Sequence, residues 1–364
     1  MSMKKRAIIV SFLAVVFVVK ISIYHTGSIT TNYKEKTYLP KIANLFKTES
    51  KKYNKTFQIL WYHQHEYFSS TESLSYCSYG NCVMTNKKST LETSDAVLFA
   101  YDPMNTDKPR KRSGQIWIIA HVESPVNNAK LNKIWDNAFD WSMTYRRYSE
   151  VFLSYSAEKR NTPLHKDYHA IFKQKTKSVV WVVSNCFTES KREKYIRELG
   201  KYIDVDIYGK CGKSKCPKDS MSECHEFLSQ RYKFYLAFEN SLCKDYITEK
   251  LFHTYLDKSN AIYVYRGAPN VKDILPKNTY IDVRDFDSPK ALAKFMIELG
   301  SNEDKYVSYL KEIDKYRIDE GLNYFNALCS VCELLNTKQK HNSPLTGKHF
   351  NEWYRNDVCE VTNI

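Results

Sequence analysis

No apolar stretch in this sequence matches the roughly 20 residues that a simple membrane span takes; the longest, Ala7 to Val19, is cut off by Lys20. There is no internal repeat, and no GxSxG, so a serine hydrolase is unsupported. Cys329-x-x-Cys332 has no second CxxC at zinc-site spacing, and its plain reading is a structural disulfide arrangement. Acids are outnumbered by bases, 41 against 55, for a net charge of +14. Such an excess fits nucleic acid, an anionic membrane or an anionic small molecule. No recognisable nucleic-acid module accompanies it.

What remains is an ordinary globular composition. Hydrophobic residues make up 43% and charged residues 26% of 364 positions, which argues against disorder. That length buries one large core or two medium ones. The 28 tyrosines suit sugar stacking but are equally common packing residues.

The N-terminus favours one class of partner. Lys4, Lys5 and Arg6 precede the apolar run, and Lys20 can snorkel so that Ile21 to Tyr24 complete a crossing. This gives a cytoplasmic tail over 1–6, a signal-anchor over 7–24 and a lysine-rich stem over 25–55. A cleaved signal peptide is the competing reading, but no small-x-small cleavage site follows. All ten cysteines and the sequon Asn54-Lys55-Thr56 lie beyond the anchor, as expected for a lumenal region with disulfides.

From Thr56 onward, short apolar runs alternate with longer amphipathic stretches. Buried strands are expected at 57–62, 96–101, 116–120, 179–183, 205–208, 235–238, 261–265 and 279–283. Helical spacing covers 191–199, 248–257, 289–299 and 304–316. This alternation predicts α/β layers with parallel sheets, arranged as two Rossmann-like domains over 56–174 and 175–335, with a C-terminal extension over 336–364.

In such folds ligands bind where strands end and helices begin. The most distinctive cluster sits at such a junction: YKFYLAFENSLCKDYITEKL, Tyr232 to Leu251. A strand runs into Glu239-Asn240-Ser241, and Tyr246-Ile247-Thr248-Glu249-Lys250 opens a helix. Lys250 breaks the preference for acids in a first helical turn, a violation that points to an anionic ligand; a snorkelling surface lysine is the plainer alternative. His63-Gln64-His65-Glu66 offers two imidazoles without a third fixed metal ligand. Asp204-Val205-Asp206 and Asp285-Phe286-Asp287 read as ordinary strand-end acids.

The Tyr232–Leu251 segment resembles the signature of the α1,3/α1,4-fucosyltransferases, glycosyltransferase family 10. HVESP (121–125), FDWSMTYRRYSEV (139–151), VVSNC with a following arginine (182–192), YRGAP (265–269) and NALCSVCELL (326–335) resemble the same family in the same order. The resemblance implies a GT-B fold, with an acceptor-binding domain followed by a donor-binding domain. It implies transfer of L-fucose from GDP-β-L-fucose to a GlcNAc residue, with inversion, no metal cofactor, and a type II Golgi membrane location. The acceptor would be a glycan on glycoprotein or glycolipid, of N-glycan core or N-acetyllactosamine type. The cysteine of SNC leans towards relatives acting on the N-glycan core.

Carried over residue by residue, the resemblance implies that Glu123 is the catalytic base. Asn185, Arg192, Glu239, Asn240, Tyr246, Glu249 and Lys250 would line the nucleotide-sugar pocket, with Arg192 and Lys250 meeting the diphosphate. Tyr145, Arg146 and Arg147 would lie near the interdomain cleft, one arginine as well suited to a structural ion pair. A lumenal glycan-binding protein of the same fold without catalysis is the rival class, and GDP-fucose binding separates the two.

Overall fold

The computed structural model describes residues 53, 55–63, 71–100, 108–218, 220–318, 322–337, 350–356 and 358–361. The expected tail and anchor, nearly all of the stem, Asn54, and Gln64 to Glu66 lie outside the described residues. Among the described residues no helix is long and apolar enough to cross a membrane.

The first sheet contains β1 (Phe57–Trp61), β2 (Thr71–Ser73), β3 (Cys82–Thr85), β4 (Ala96–Ala100), β5 (Ile116–His121), β6 (Trp141–Thr144) and β7 (Val151–Phe152). Their order is β2-β3-β1-β4-β5-β6-β7, and only β2 at the edge is antiparallel. Alternating side chains enter separate layers. Ile59, Leu98 and Ile118 pack on one face, and Leu60, Phe99 and Ile119 on the other. Burial on both faces explains why these strands read as continuous apolar runs.

The chain then forms β8 (Ala157–Lys159), α1 (Tyr168–Lys173), β9 (Lys177–Val182), α2 (Arg192–Leu199), β10 (Val205–Tyr208), α3 (Met221–Arg231), β11 (Tyr232–Phe238) and α4 (Glu249–Phe252). It continues through β12 (Ile262–Arg266), β13 (Ile281–Asp282), α5 (Pro289–Ser301), α6 (Glu303–Ile313), β14 (Tyr316–Ile318), α7 (Leu322–Thr337) and α8 (Phe350–Arg355). The second sheet, β10-β9-β11-β12-β13, is parallel throughout. Strand order reverses between β9 and β11, whose carboxyl ends therefore open a crevice, the usual ligand site of such sheets.

Two expected helices are shorter than their periodicity implies. The stretch 248–257 holds only α4 and a 3₁₀ turn, His253–Tyr255, and 304–316 yields to β14 at Tyr316. The end of the chain also departs from the expected division. Helix α7 carries Ala327, Leu328 and Val331 onto the first sheet. Disulfides Cys77–Cys329 and Cys82–Cys332 fix it there. Helix α8 covers the opposite face of that sheet with Phe350 and Tyr354.

Candidate active site

Strand β11 delivers Glu239 to the switch-point crevice fully buried, next to the start of α4. Thr248, the N-cap of α4, donates its backbone N–H to Glu239 Oε1 at 2.8 Å and its hydroxyl to both carboxylate oxygens at 2.9 Å. Lys250 Nζ lies 3.2 Å from Glu239 Oε2 and 3.1 Å from Glu249 Oε1, and donates to Thr248 Oγ1 at 2.8 Å. The signature segment thus folds into a compact ionic knot. Burial raises the Glu239 pKa while Lys250 opposes that rise. Burial raises Glu249 too, but Lys250 and His253 outweigh it and hold the group at about 2. Burial lowers Lys250, and the two carboxylates overcome it and raise the pKa. The Lys250 side chain is 30% exposed, while its Nζ is engaged by Glu239, Glu249 and Thr248.

Glu123 follows β5 and sits where the two sheets meet. Its Oε1 accepts from Tyr246 Oη at 2.5 Å, Ser124 N at 2.8 Å, Asn127 Nδ2 at 3.0 Å and Asn240 Nδ2 at 3.4 Å. All of these donors converge on one oxygen, and Oε2 has no protein donor among the described residues. Two of them, Asn240 and Tyr246, come from the signature segment more than 115 residues away in sequence. Next to this contact the Ser124 and Ser241 hydroxyls share a buried 2.5 Å hydrogen bond. The carboxylate is therefore oriented by both halves of the molecule.

Arg192 opens α2 at the crevice but points inward. It is 4% exposed, and its Nη1 and Nη2 donate to the carbonyls of Phe238 (2.6 Å) and Asn185 (3.1 Å), tying the end of β11 to the loop after β9. Its charge is expressed through the crevice floor, not at a solvent-facing position. The Asn185 side chain is exposed at the crevice mouth. Arg146 takes the structural ion-pair role, with Nε 3.5 Å from Asp245 Oδ2 and its guanidinium over the Trp353 ring. Arg147 donates from its backbone N–H to the same Asp245 and from Nη1 to the Asp273 carbonyl. The Tyr145 ring meets Tyr246 and Tyr354 edge-on.

Sequence reading missed the groups that hold this site from a distance. Tyr354 donates its hydroxyl to the Glu123 carbonyl. Arg355 donates to the Pro125, Asn128 and Ala129 carbonyls. The segment then pairs with the loop after β11: Lys244 N to Val358 O at 2.8 Å, Glu360 N to Leu242 O at 2.9 Å, and the Cys243–Cys359 disulfide. This C-terminal strap touches both the Glu123 loop and the signature segment. No local periodicity marks it, because its partners lie far off in sequence. Gly267, in YRGAP, was visible in sequence without its reason. A Cβ there would come within 2.0 Å of Tyr265 Oη and 2.7 Å of Glu239 Cγ, so only glycine lets β12 pass the buried acid.

Comparison with known proteins agrees with this geometry. The family model for "Glycosyltransferase family 10 (fucosyltransferase) C-term" matches residues 172–353, and that for "Fucosyltransferase, N-terminal" matches 54–156. The chain is 35% identical over 290 residues to the "Glycoprotein 3-alpha-L-fucosyltransferase A" of Drosophila melanogaster, covering 78% of this chain and 56% of that protein's length. It is 30% identical over 318 residues to the mouse (Mus musculus) "4-galactosyl-N-acetylglucosaminide 3-alpha-L-fucosyltransferase 9", covering 83% of this chain and 84% of the relative. Crystal structures of an alpha1,3-fucosyltransferase share the fold. The complex with GDP-fucose aligns with a TM-score of 0.52 at 18% identity, over 81% of this chain and 94% of the other. The complex with GDP aligns at 0.54 and 17%, over 84% and 96%. The chain therefore belongs to glycosyltransferase family 10, the fucosyltransferases.

Proposed function

We propose that this chain is an inverting α1,3-fucosyltransferase of GT-B architecture that moves L-fucose from GDP-β-L-fucose to a GlcNAc hydroxyl of a glycan. The observation that carries this reading is Glu123, held by one oxygen from both halves of the molecule while the other oxygen has no donor among the described residues. In the proposed reaction the acceptor hydroxyl oxygen attacks the fucose anomeric carbon as Glu123 Oε2 takes its proton. The carbon–oxygen bond to the β-phosphate breaks, GDP leaves with the bonding pair, and β configuration becomes α. Lys250 meets the developing charge on the diphosphate. To do so its ammonium exchanges one present partner for phosphate oxygen, and Glu249, the more exposed of its two acids, is the one placed to yield. Arg192 supports the same charge through the strand end and loop it holds. The donor is expected to bind and react without a metal.

The acceptor is proposed to be the GlcNAc of an N-glycan core or of N-acetyllactosamine, and the enzyme to act in the Golgi lumen behind its N-terminal anchor. A glycan-binding protein without catalysis would need neither an oriented carboxylate nor an ionic knot at the switch point. The test is fucose transfer by the full chain from GDP-fucose, with EDTA present, to each acceptor. Transfer to either supports the reading. A folded chain that binds neither GDP nor GDP-fucose would favour the glycan-binding alternative.

A further inference from the structure

The crevice engages few of the cations behind the net charge of +14. A separate concentration lies beside β10, the edge strand of the second sheet. Between β10 and α3, residues 209–218 read GKCGKSKCPK, with four lysines and no acid. Disulfides Cys186–Cys211 and Cys216–Cys224 fasten this segment near both ends. Its backbone also packs hard against the sheet. A Cβ on Gly209 (φ 92°) would come within 2.4 Å of Val183 O, and one on Gly212 within 1.9 Å of Ile207 O. The lysines are thus displayed on a fixed wall.

That wall borders a cavity of about 420 Å³ lined by Lys177, Lys215, Arg231, Tyr208, Tyr232 and Phe227, among others. Lys215 and Arg231 have no acidic partner among the described residues; the Arg231 guanidinium lies 5.0 Å from the centre of the Phe227 ring. Lys177 pairs with Asp206 Oδ2 at 2.9 Å, an oxygen that also accepts from Tyr232 Oη at 2.6 Å. Cations beside aromatic faces and phenolic hydroxyls match a sugar ring that carries an anionic group. The ring's apolar face stacks, the anion takes a charge-assisted hydrogen bond, and the hydroxyls find partners. Lys210, Lys213 and Lys218 continue the charge beyond the cavity, which suits a chain of anionic sugars better than a single one. The aromatic side chains in its lining, Tyr208, Phe227 and Tyr232, suit a sugar ring better than a layer of lipid headgroups.

We propose that this cavity and its lysine wall bind a sulfated oligosaccharide at a site separate from the nucleotide crevice. The cavity's Lys177, Arg231 and Tyr232 lie at the starts of β9 and β11, six residue steps or about 20 Å from the crevice end of β11, and the lysine wall runs back from there towards the Cys186–Cys211 disulfide. The probe is a heparin-derived hexasaccharide, titrated calorimetrically onto the full chain in 150 mM salt, about the physiological ionic strength. Lys215→Ala/Arg231→Ala should weaken binding at least about tenfold, the effect of losing one or two charge-assisted contacts. Lys294→Ala/Lys305→Ala removes the same charge from exposed positions on α5 and α6 and should change binding less than about twofold. Saturating GDP should leave hexasaccharide affinity unaltered, and unchanged GDP affinity in each variant shows that the fold is intact. Equal losses in the two double variants would overturn the proposal in favour of diffuse charge attraction. Displacement of the hexasaccharide by GDP would overturn the separate site. Binding only to phosphatidylserine vesicles would overturn the choice of ligand.

Discussion

Of the two Glu123 oxygens, Oε1 collects the donors, with Tyr246 Oη the shortest contact at 2.5 Å. Tyr246→Phe removes that hydrogen bond and leaves the ring packing in place. Turnover should fall about 10- to 100-fold, the worth of one hydrogen bond to a charged group, while GDP affinity holds. A loss of GDP affinity equal to the loss of turnover would instead make Tyr246 a nucleotide contact. Lys250→Ala is expected to do the reverse, weakening GDP and GDP-fucose together by about 10-fold or more, as calorimetry would show. Outside the site, burial, helped by nearby Lys166, pulls Lys175 down to about 7, where its ammonium donates to the Ser229 carbonyl. In the unfolded chain that lysine keeps its proton to about pH 10.4. Between pH 7 and about 10 the unfolded state therefore binds more protons, and stability rises with pH. Below pH 7 both states are charged and this dependence vanishes. Lys175→Met should remove a slope of up to about 1.4 kcal/mol per pH unit, and thermal unfolding at pH 7, 8.5 and 10 checks it.

At the scale of elements, the C-terminal strap is the contact that sequence reading could not supply. Arg355→Ala frees the loop after Glu123 from three carbonyl contacts without touching the nucleotide crevice. Turnover should fall with GDP affinity kept, and Arg355→Lys should restore only part of it, because lysine cannot reproduce the fork that spans those carbonyls. Equal stability loss with unchanged turnover would reduce the strap to a structural clip. The parallel strands were legible because they are buried on both faces and read as apolar runs. The signature chemistry was legible because Glu239, Thr248, Glu249 and Lys250 lie within one short segment that folds on itself. The grip on Glu123 was not, since Tyr354 and Asn240 reach it across 231 and 117 residues. Arg192 shows the opposite failure. Its position at the start of a helix was readable, but its inward turn depends on carbonyls offered by the end of β11 and by the loop after β9.

In the whole molecule, the chain crosses back at α7, and paired disulfides close loops of 252 and 250 residues. Cysteine spacing alone does not select pairings, which is why α7 was grouped with the second sheet by sequence order. The two bridges close nearly the same loop. Removing either one should cost about 2 kcal/mol, because the other still constrains the unfolded chain, and removing both should cost more than twice that. Unfolding midpoints of Cys77→Ser/Cys329→Ser, Cys82→Ser/Cys332→Ser and the quadruple variant read this non-additivity directly; simple additivity would show that the bridges act independently. The joint between the sheets also places Glu123 of the first against Tyr246 and Asn240 of the second. The most direct test of that arrangement is turnover of Glu123→Gln with GDP-fucose and a GlcNAc acceptor, set beside its GDP affinity. Turnover should fall about 10²- to 10⁴-fold with GDP affinity nearly unchanged. Turnover equal to that of the unaltered chain would remove Glu123 as the base.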